Sequence, residues 1–107
     1  MKKTLLLIAC ISLALSVQAG KYLSASIQKE IKKSAELEWA GDYNMQAYEI
    51  KKQTAAFKTF HEMRSPSGMT SSTFTAIKKR AAREWPKDYS MQLYELKKQI
   101  QGWQEVN

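Results

Sequence analysis

Residues that do chemistry are scarce in this 107-residue chain: one histidine, His61, and one cysteine, Cys10. A zinc site needs three or four Cys, His or carboxylate ligands, and a thiol nucleophile needs a base beside it; these two residues build neither. His61-Glu62-Met63-Arg64 lacks the second histidine of a zinc-protease helix and reads as a histidine near a helix end. Neither a glycine-rich phosphate loop nor a Gly-x-Ser-x-Gly elbow occurs. Asp42 and Asp88 remain as a carboxylate pair that could transfer protons, but each stands where a helix requires an N-cap. The expectation is a protein with no catalytic residues, no metal and no cofactor.

Charge is the next lead. Lysine and arginine number 17 against 10 aspartate and glutamate. The clusters Lys32-Lys33, Lys51-Lys52, Lys78-Lys79-Arg80, Arg83 and Lys97-Lys98 are mostly interleaved with glutamate, the pattern of a solvated helical surface. The excess also suits anionic envelope components such as lipid head groups, lipopolysaccharide or peptidoglycan carboxylates. No nucleic-acid-binding motif is present.

The address is written at the start. Lys2 and Lys3 precede a 13-residue apolar-rich stretch, Leu5 to Val17, and Val17-Gln18-Ala19 offers a small-residue cleavage site before Gly20. That layout is a secretory signal peptide. The stretch falls short of the roughly 20 residues a spanning helix needs. Leu7-Ile8-Ala9-Cys10 resembles a lipobox, but processing there would leave Ile11 to Val17 as a greasy tail. Cleavage after Ala19 is expected, with a periplasmic or secreted mature chain, no membrane span after Gly20 and no cysteine. Losing Lys2 and Lys3 leaves 15 basic against 10 acidic residues.

An internal repeat organises the rest. Ile31 to Gln53 aligns without gaps on Ile77 to Gln99, with 15 of 23 positions identical at an offset of 46. The expected organisation is a signal peptide over 1–19 and two helical hairpins over 20–64 and 65–107, together one folded domain. Ile27, Ile31, Ala35 and Trp39, matched by Phe74, Ile77, Ala81 and Trp85, place an amphipathic helix first in each copy, with Ser26 and Ser72 as N-caps. Ala40-Gly41 closes the first by a glycine signal and Pro86 the second by its ring. Because Lys87 stands where the first copy has Gly41, a left-handed backbone is not expected there. Tyr43, Ala47, Ile50, Thr54 and Phe57, matched by Tyr89, Leu93, Leu96, Ile100 and Trp103, predict a second helix of about 18 residues, some 27 Å long. The two-residue corner makes each copy an αα-hairpin. Since one hairpin cannot bury its own apolar face, the fold class is all-α: two tandem αα-hairpins packed as a small four-helix domain.

In the second helix the copies drift at Ala47/Leu93, Ile50/Leu96, Thr54/Ile100 and Phe57/Trp103, and agree on the other side of the helix. Met45, Gln46, Tyr48, Glu49, Lys51, Lys52 and Gln53 return unchanged as Met91, Gln92, Tyr94, Glu95, Lys97, Lys98 and Gln99. With Tyr43 at zero, Met45 lies at about 200° and Tyr48 at about 140° around the helix, away from the Ile50 stripe. The corner Trp39, Asp42, Tyr43 and its counterpart Trp85, Asp88, Tyr89 is assigned a structural role. The binding candidates are Met45, Tyr48, Lys52, Met91, Tyr94 and Lys98, methionine supplying adaptability and tyrosine a polar tip. Packing against a neighbouring helix is the competing explanation for that face.

Trp85-Pro-Lys-Asp-Tyr-Ser-Met-Gln-Leu-Tyr-Glu-Leu-Lys-Lys-Gln99, echoed from Trp39 to Gln53, resembles a short motif of small uncharacterised bacterial exported proteins. The resemblance implies a bacterial envelope address and carries no activity with it. The expected function is an exported, non-enzymatic binding module contacting a protein or peptide. The alternatives are a basic binder of an anionic envelope surface and a structural homodimer.

Overall fold

Helix boundaries fall where a side-chain oxygen meets the free N–H groups of a first turn. The computed structural model describes residues 23–107, and the expected signal peptide with its cleavage site lies outside them. Helix α1 (Ala25–Glu38) starts after Ser24, whose hydroxyl accepts from the Ile27 N–H at 3.3 Å. Helix α2 (Tyr43–Glu62) starts after Asp42, α3 (Ser71–Glu84) after Thr70, and α4 (Tyr89–Val106) after Asp88. Asp42 and Asp88 accept from Met45 and Met91 N–H at 3.1 and 3.2 Å, as the sequence predicts. Ser26 and Ser72 are not the caps: each lies inside its helix, two residues past the true cap. The reason is apolar. Leu23 and Met69, the residues before the true caps, are buried and draw the chain entry inward.

The corners correct a second expectation. Gly41 has φ +79° and Lys87 φ +65°, so the second corner adopts the left-handed backbone despite carrying a lysine. A β-carbon there costs roughly 1–2 kcal/mol. Lys87→Gly is therefore expected to raise stability by a few tenths to about 1 kcal/mol after glycine's own entropy penalty, read as a higher urea midpoint.

The described residues form an all-α four-helix bundle of 56 × 34 × 21 Å, in which α1 packs on α2 and α3 on α4 as helical hairpins. The two hairpins join through α2 and α4. One buried cluster holds Leu23, Ile31, Ala56, Phe57 and Tyr89; the other holds Phe60, Met69, Phe74, Ala81 and Leu96. Leu93 packs against both. Partners advance together along the joint: Gln53 meets Asp88 and Ser90, while Phe60 shares a cluster with Leu96. Thus α2 and α4 run in the same direction, with the second half of α2 against the first half of α4.

This stagger overturns part of the expected core stripe. Tyr89 is 8% exposed but Tyr43 is 79% exposed, and Ala47 is exposed as well. Among the described residues the first turns of α2 have no neighbour of the kind that α4 finds in α2. Ala56 and Phe60, outside the predicted stripe, are buried instead.

His61 lies at the same joint, with ring centroids 4.3 Å from Phe57 and 5.4 Å from Phe60. Burial pushes its pKa below the ordinary 6.5, and the nearby Lys78 charge pushes the same way. The unfolded chain then takes up a proton at a pH where the folded chain does not, so stability falls as pH drops through about 6.5. Thermal unfolding is expected at lower temperature at pH 5.5 than at pH 7.5, with the difference reduced in His61→Gln.

Candidate functional site

Each hairpin corner is built from one set of side chains. The tryptophan N–H caps its own helix, donating to Ala35 O in one copy and Ala81 O in the other. The following aspartate N–H donates to the tryptophan carbonyl, at 3.0 Å for Asp42 and 3.2 Å for Asp88. A glutamine one turn into the second helix reaches back to that same carbonyl: Gln46 to Trp39 O at 2.9 Å, Gln92 to Trp85 O at 2.8 Å. These bonds satisfy carbonyls that a helix end leaves open, and they account for the identity of Gln46 and Gln92. The indole N–H of Trp39 is buried without an acceptor.

Above the corner lie the six binding candidates. Tyr48 and Tyr94 are exposed, at 59% and 52%, while Met45 and Met91 are half-buried. A lysine one turn on lies over each ring: Lys52 Nζ is 5.8 Å from the Tyr48 centroid and Lys98 Nζ 5.4 Å from that of Tyr94. Both distances fall within cation–π range. Lys52 also pairs with the buried Glu49 carboxylate at 2.8 Å, and that bond holds its pKa above the usual lysine value. The two clusters are alike in composition but not joined into one patch. Lys52 and Met91 alone among the six share a cleft, of about 380 Å³, with Glu38, Glu49, Lys87 and Asp88. Its charges are mixed, which favours neither an anion nor a cation. Between α1 and α2 lies a second groove of about 430 Å³, lined by Leu23, Ile50 and Thr54 and rimmed by Lys29 and Lys32.

Four polar residues bear on the site in ways the sequence does not show: Gln53, Glu49 and Gln92, noted there as identities without a role, and Glu30. Gln53 Oε1 accepts from the N–H groups of Tyr89 at 2.7 Å and Ser90 at 3.2 Å, and its Nε2 donates to Asp88 Oδ1 at 3.1 Å and Ser90 Oγ at 3.3 Å. Tyr89 OH donates to Glu30 Oε1 at 2.6 Å, and burial together with that bond raises the phenol pKa. Glu49 and Gln92 are buried. The repeated glutamines were visible as identities between the copies; their partners depend on the stagger of α2 on α4, which no periodicity encodes.

Among the described residues no three His, Asp or Glu side chains converge as metal ligands, and no helix is long and apolar enough to cross a membrane. No protein-family model, curated protein or solved structure matches the chain.

Proposed function

We propose that this chain is an exported, non-catalytic module of two tandem helical hairpins, repeated at an offset of 46 residues, that binds a protein or peptide partner. The observation that carries the reading is the duplicated exposed pair, Tyr48 with Lys52 and Tyr94 with Lys98. An aromatic left exposed beside a lysine in both copies offers the same contact surface twice. Tyrosine beside lysine suits a partner presenting carboxylates next to apolar side chains, and the half-buried Met45 and Met91 give each contact an adaptable floor. Export rests on the Lys2-Lys3, Leu5–Val17 and Ala19 pattern.

The test starts from the full-length gene. Expressed in a bacterium, the protein should appear in the periplasm or medium with Gly20 as its first residue. Tagged protein should retain a partner from envelope extract at high salt, and Tyr48→Ser/Tyr94→Ser should lose it. Both tyrosines are more than half exposed, so the double variant should keep its helical circular dichroism and its stability within about 0.5 kcal/mol per site. Retention that vanishes at high salt for both proteins would instead support a charge-driven contact with an anionic envelope surface. The exposed Lys51, Lys52, Lys97 and Lys98 are the residues to change in that case.

A further inference from the structure

The joint between the two hairpins has a plug and a socket. The plug is the start of α4: Asp88, Tyr89 and Ser90. The socket is the second half of α2 with the facing side of α1: Gln53 binds the plug's N–H groups, Phe57 lies edge-on to Tyr89 with centroids 4.9 Å apart, and Glu30 accepts a hydrogen bond from the Tyr89 hydroxyl. Gln53 sits beside Tyr89 rather than beside its own counterpart Gln99, ten positions further on. The hairpins are therefore related by a shift of about 15 Å along parallel helices, not by a twofold axis. A joint of this kind is heterologous and uses each hairpin's plug and socket only once.

One plug and one socket are consequently left over. The free plug is Asp42, Tyr43 and Asn44: Tyr43 is 79% exposed, and among the described residues no acceptor meets the N–H groups of Tyr43 or Asn44. The free socket is the second half of α4, where Gln99 and Trp103 stand for Gln53 and Phe57, Trp103 half-buried on the Phe60 cluster. Among the described residues Gln99 Oε1 has no donor, its amide making a single bond, from Nε2 to Glu95 at 3.1 Å. The sizes are also complementary. Where the inner joint sets Leu93 against the Phe57 cluster, the free ends offer the smaller Ala47 and the larger Trp103. One bond is missing, since Ala76 replaces Glu30, so the outer joint is the weaker of the two.

We propose that copies of this chain associate head to tail, with Tyr43 and Asn44 of one molecule seated on Gln99 and Trp103 of the next, so that the inner stacking continues from chain to chain. The surface borders the Tyr48 and Tyr94 faces at Met45 and Lys98, the counterparts of Met91 and Lys52 beside the inner joint, but it is built from Tyr43, Asn44, Gln99 and Trp103, and the proposal does not depend on what those faces bind.

Sedimentation of untagged protein, expressed from the full sequence, tests it. The wild-type average mass should climb with concentration past two copies without a plateau. Tyr43→Lys blocks the plug by removing its ring and cannot pair with an arginine socket, and at a position 79% exposed in the monomer it is tolerated. Gln99→Arg blocks the socket, because arginine has no acceptor and meets a positive helix end. Each variant alone should associate at least about tenfold more weakly, and circular dichroism should show both still folded. Mixed together, the two should form a dimer and stop there, because one intact plug meets one intact socket. A wild type that stays monomeric up to about 1 mM, a plateau at two copies, or variants that associate like wild type would each overturn the proposal.

Discussion

Replacing Leu96 by alanine is expected to cost about 3 kcal/mol of stability, whereas the same change at its repeat counterpart Ile50 should cost about half as much. Leu96 is 0% exposed and packs in the cluster of Phe60, Met69, Phe74 and Ala81. Truncation there loses the transfer energy of three carbons and leaves a cavity walled by large side chains that cannot close over it. Ile50 is half-buried and borders an open groove with Leu23 and Thr54, so water and neighbouring lysine stems fill the gap. Urea titrations followed by circular dichroism separate the two, as a shift in midpoint with little change in slope. Equal losses at both positions would contradict the asymmetric core.

That asymmetry marks what could be read from the residues and what could not. The four helices, the Asp42 and Asp88 caps and the hairpin corners follow from local rules, since a cap and a 3.6-residue period need only the residues within a few turns. Tyr43 and Tyr89 show where such rules stop. They occupy the same place in the same motif, yet one is nearly bare and the other is buried against Phe57. The difference comes from what precedes each: among the described residues α4 has a hairpin before it in the bundle and α2 has none. Lys87 is a similar case. Its left-handed backbone is imposed by the corner that Trp85, Asp88 and Gln92 close around it, against its own preference. Among the site candidates, Tyr48 and Tyr94 are exposed, each with a lysine over its ring. The buried Glu49 and the bridging Gln53 lay unseen on that same polar-looking face.

The second large effect expected is at Gln53. Its side chain both accepts from and donates to the opening turn of α4, through Tyr89 and Ser90 N–H, Asp88 Oδ1 and Ser90 Oγ. Gln53→Ala leaves two first-turn N–H groups of a partly buried helix end without an acceptor. A net hydrogen bond is worth about 1 kcal/mol and a lost cap about the same; taken together, the loss should be on the order of 2 kcal/mol. Gln99→Ala removes only an intrahelical contact with Glu95 and should change monomer stability by less than about 0.5 kcal/mol. Gln53→Glu separates the accepting role from the donating one. A carboxylate still accepts from Tyr89 and Ser90, but it faces Asp88 with no proton between them. At neutral pH the like charges should destabilise this variant, and because repulsion raises their folded-state pKa above the unfolded value, the deficit should shrink as pH falls toward 4. Recovery on acidification would locate the effect at the Asp88 carboxylate, whereas a flat deficit would show that Gln53 acts through its N–H acceptors alone. Gln53 and Gln99 are thus one residue type in two settings, the first holding a helix end and the second facing none within its own chain. If Gln99 is silent in the monomer and decisive when chains associate, its identity with Gln53 is explained by the joint it makes with the next copy.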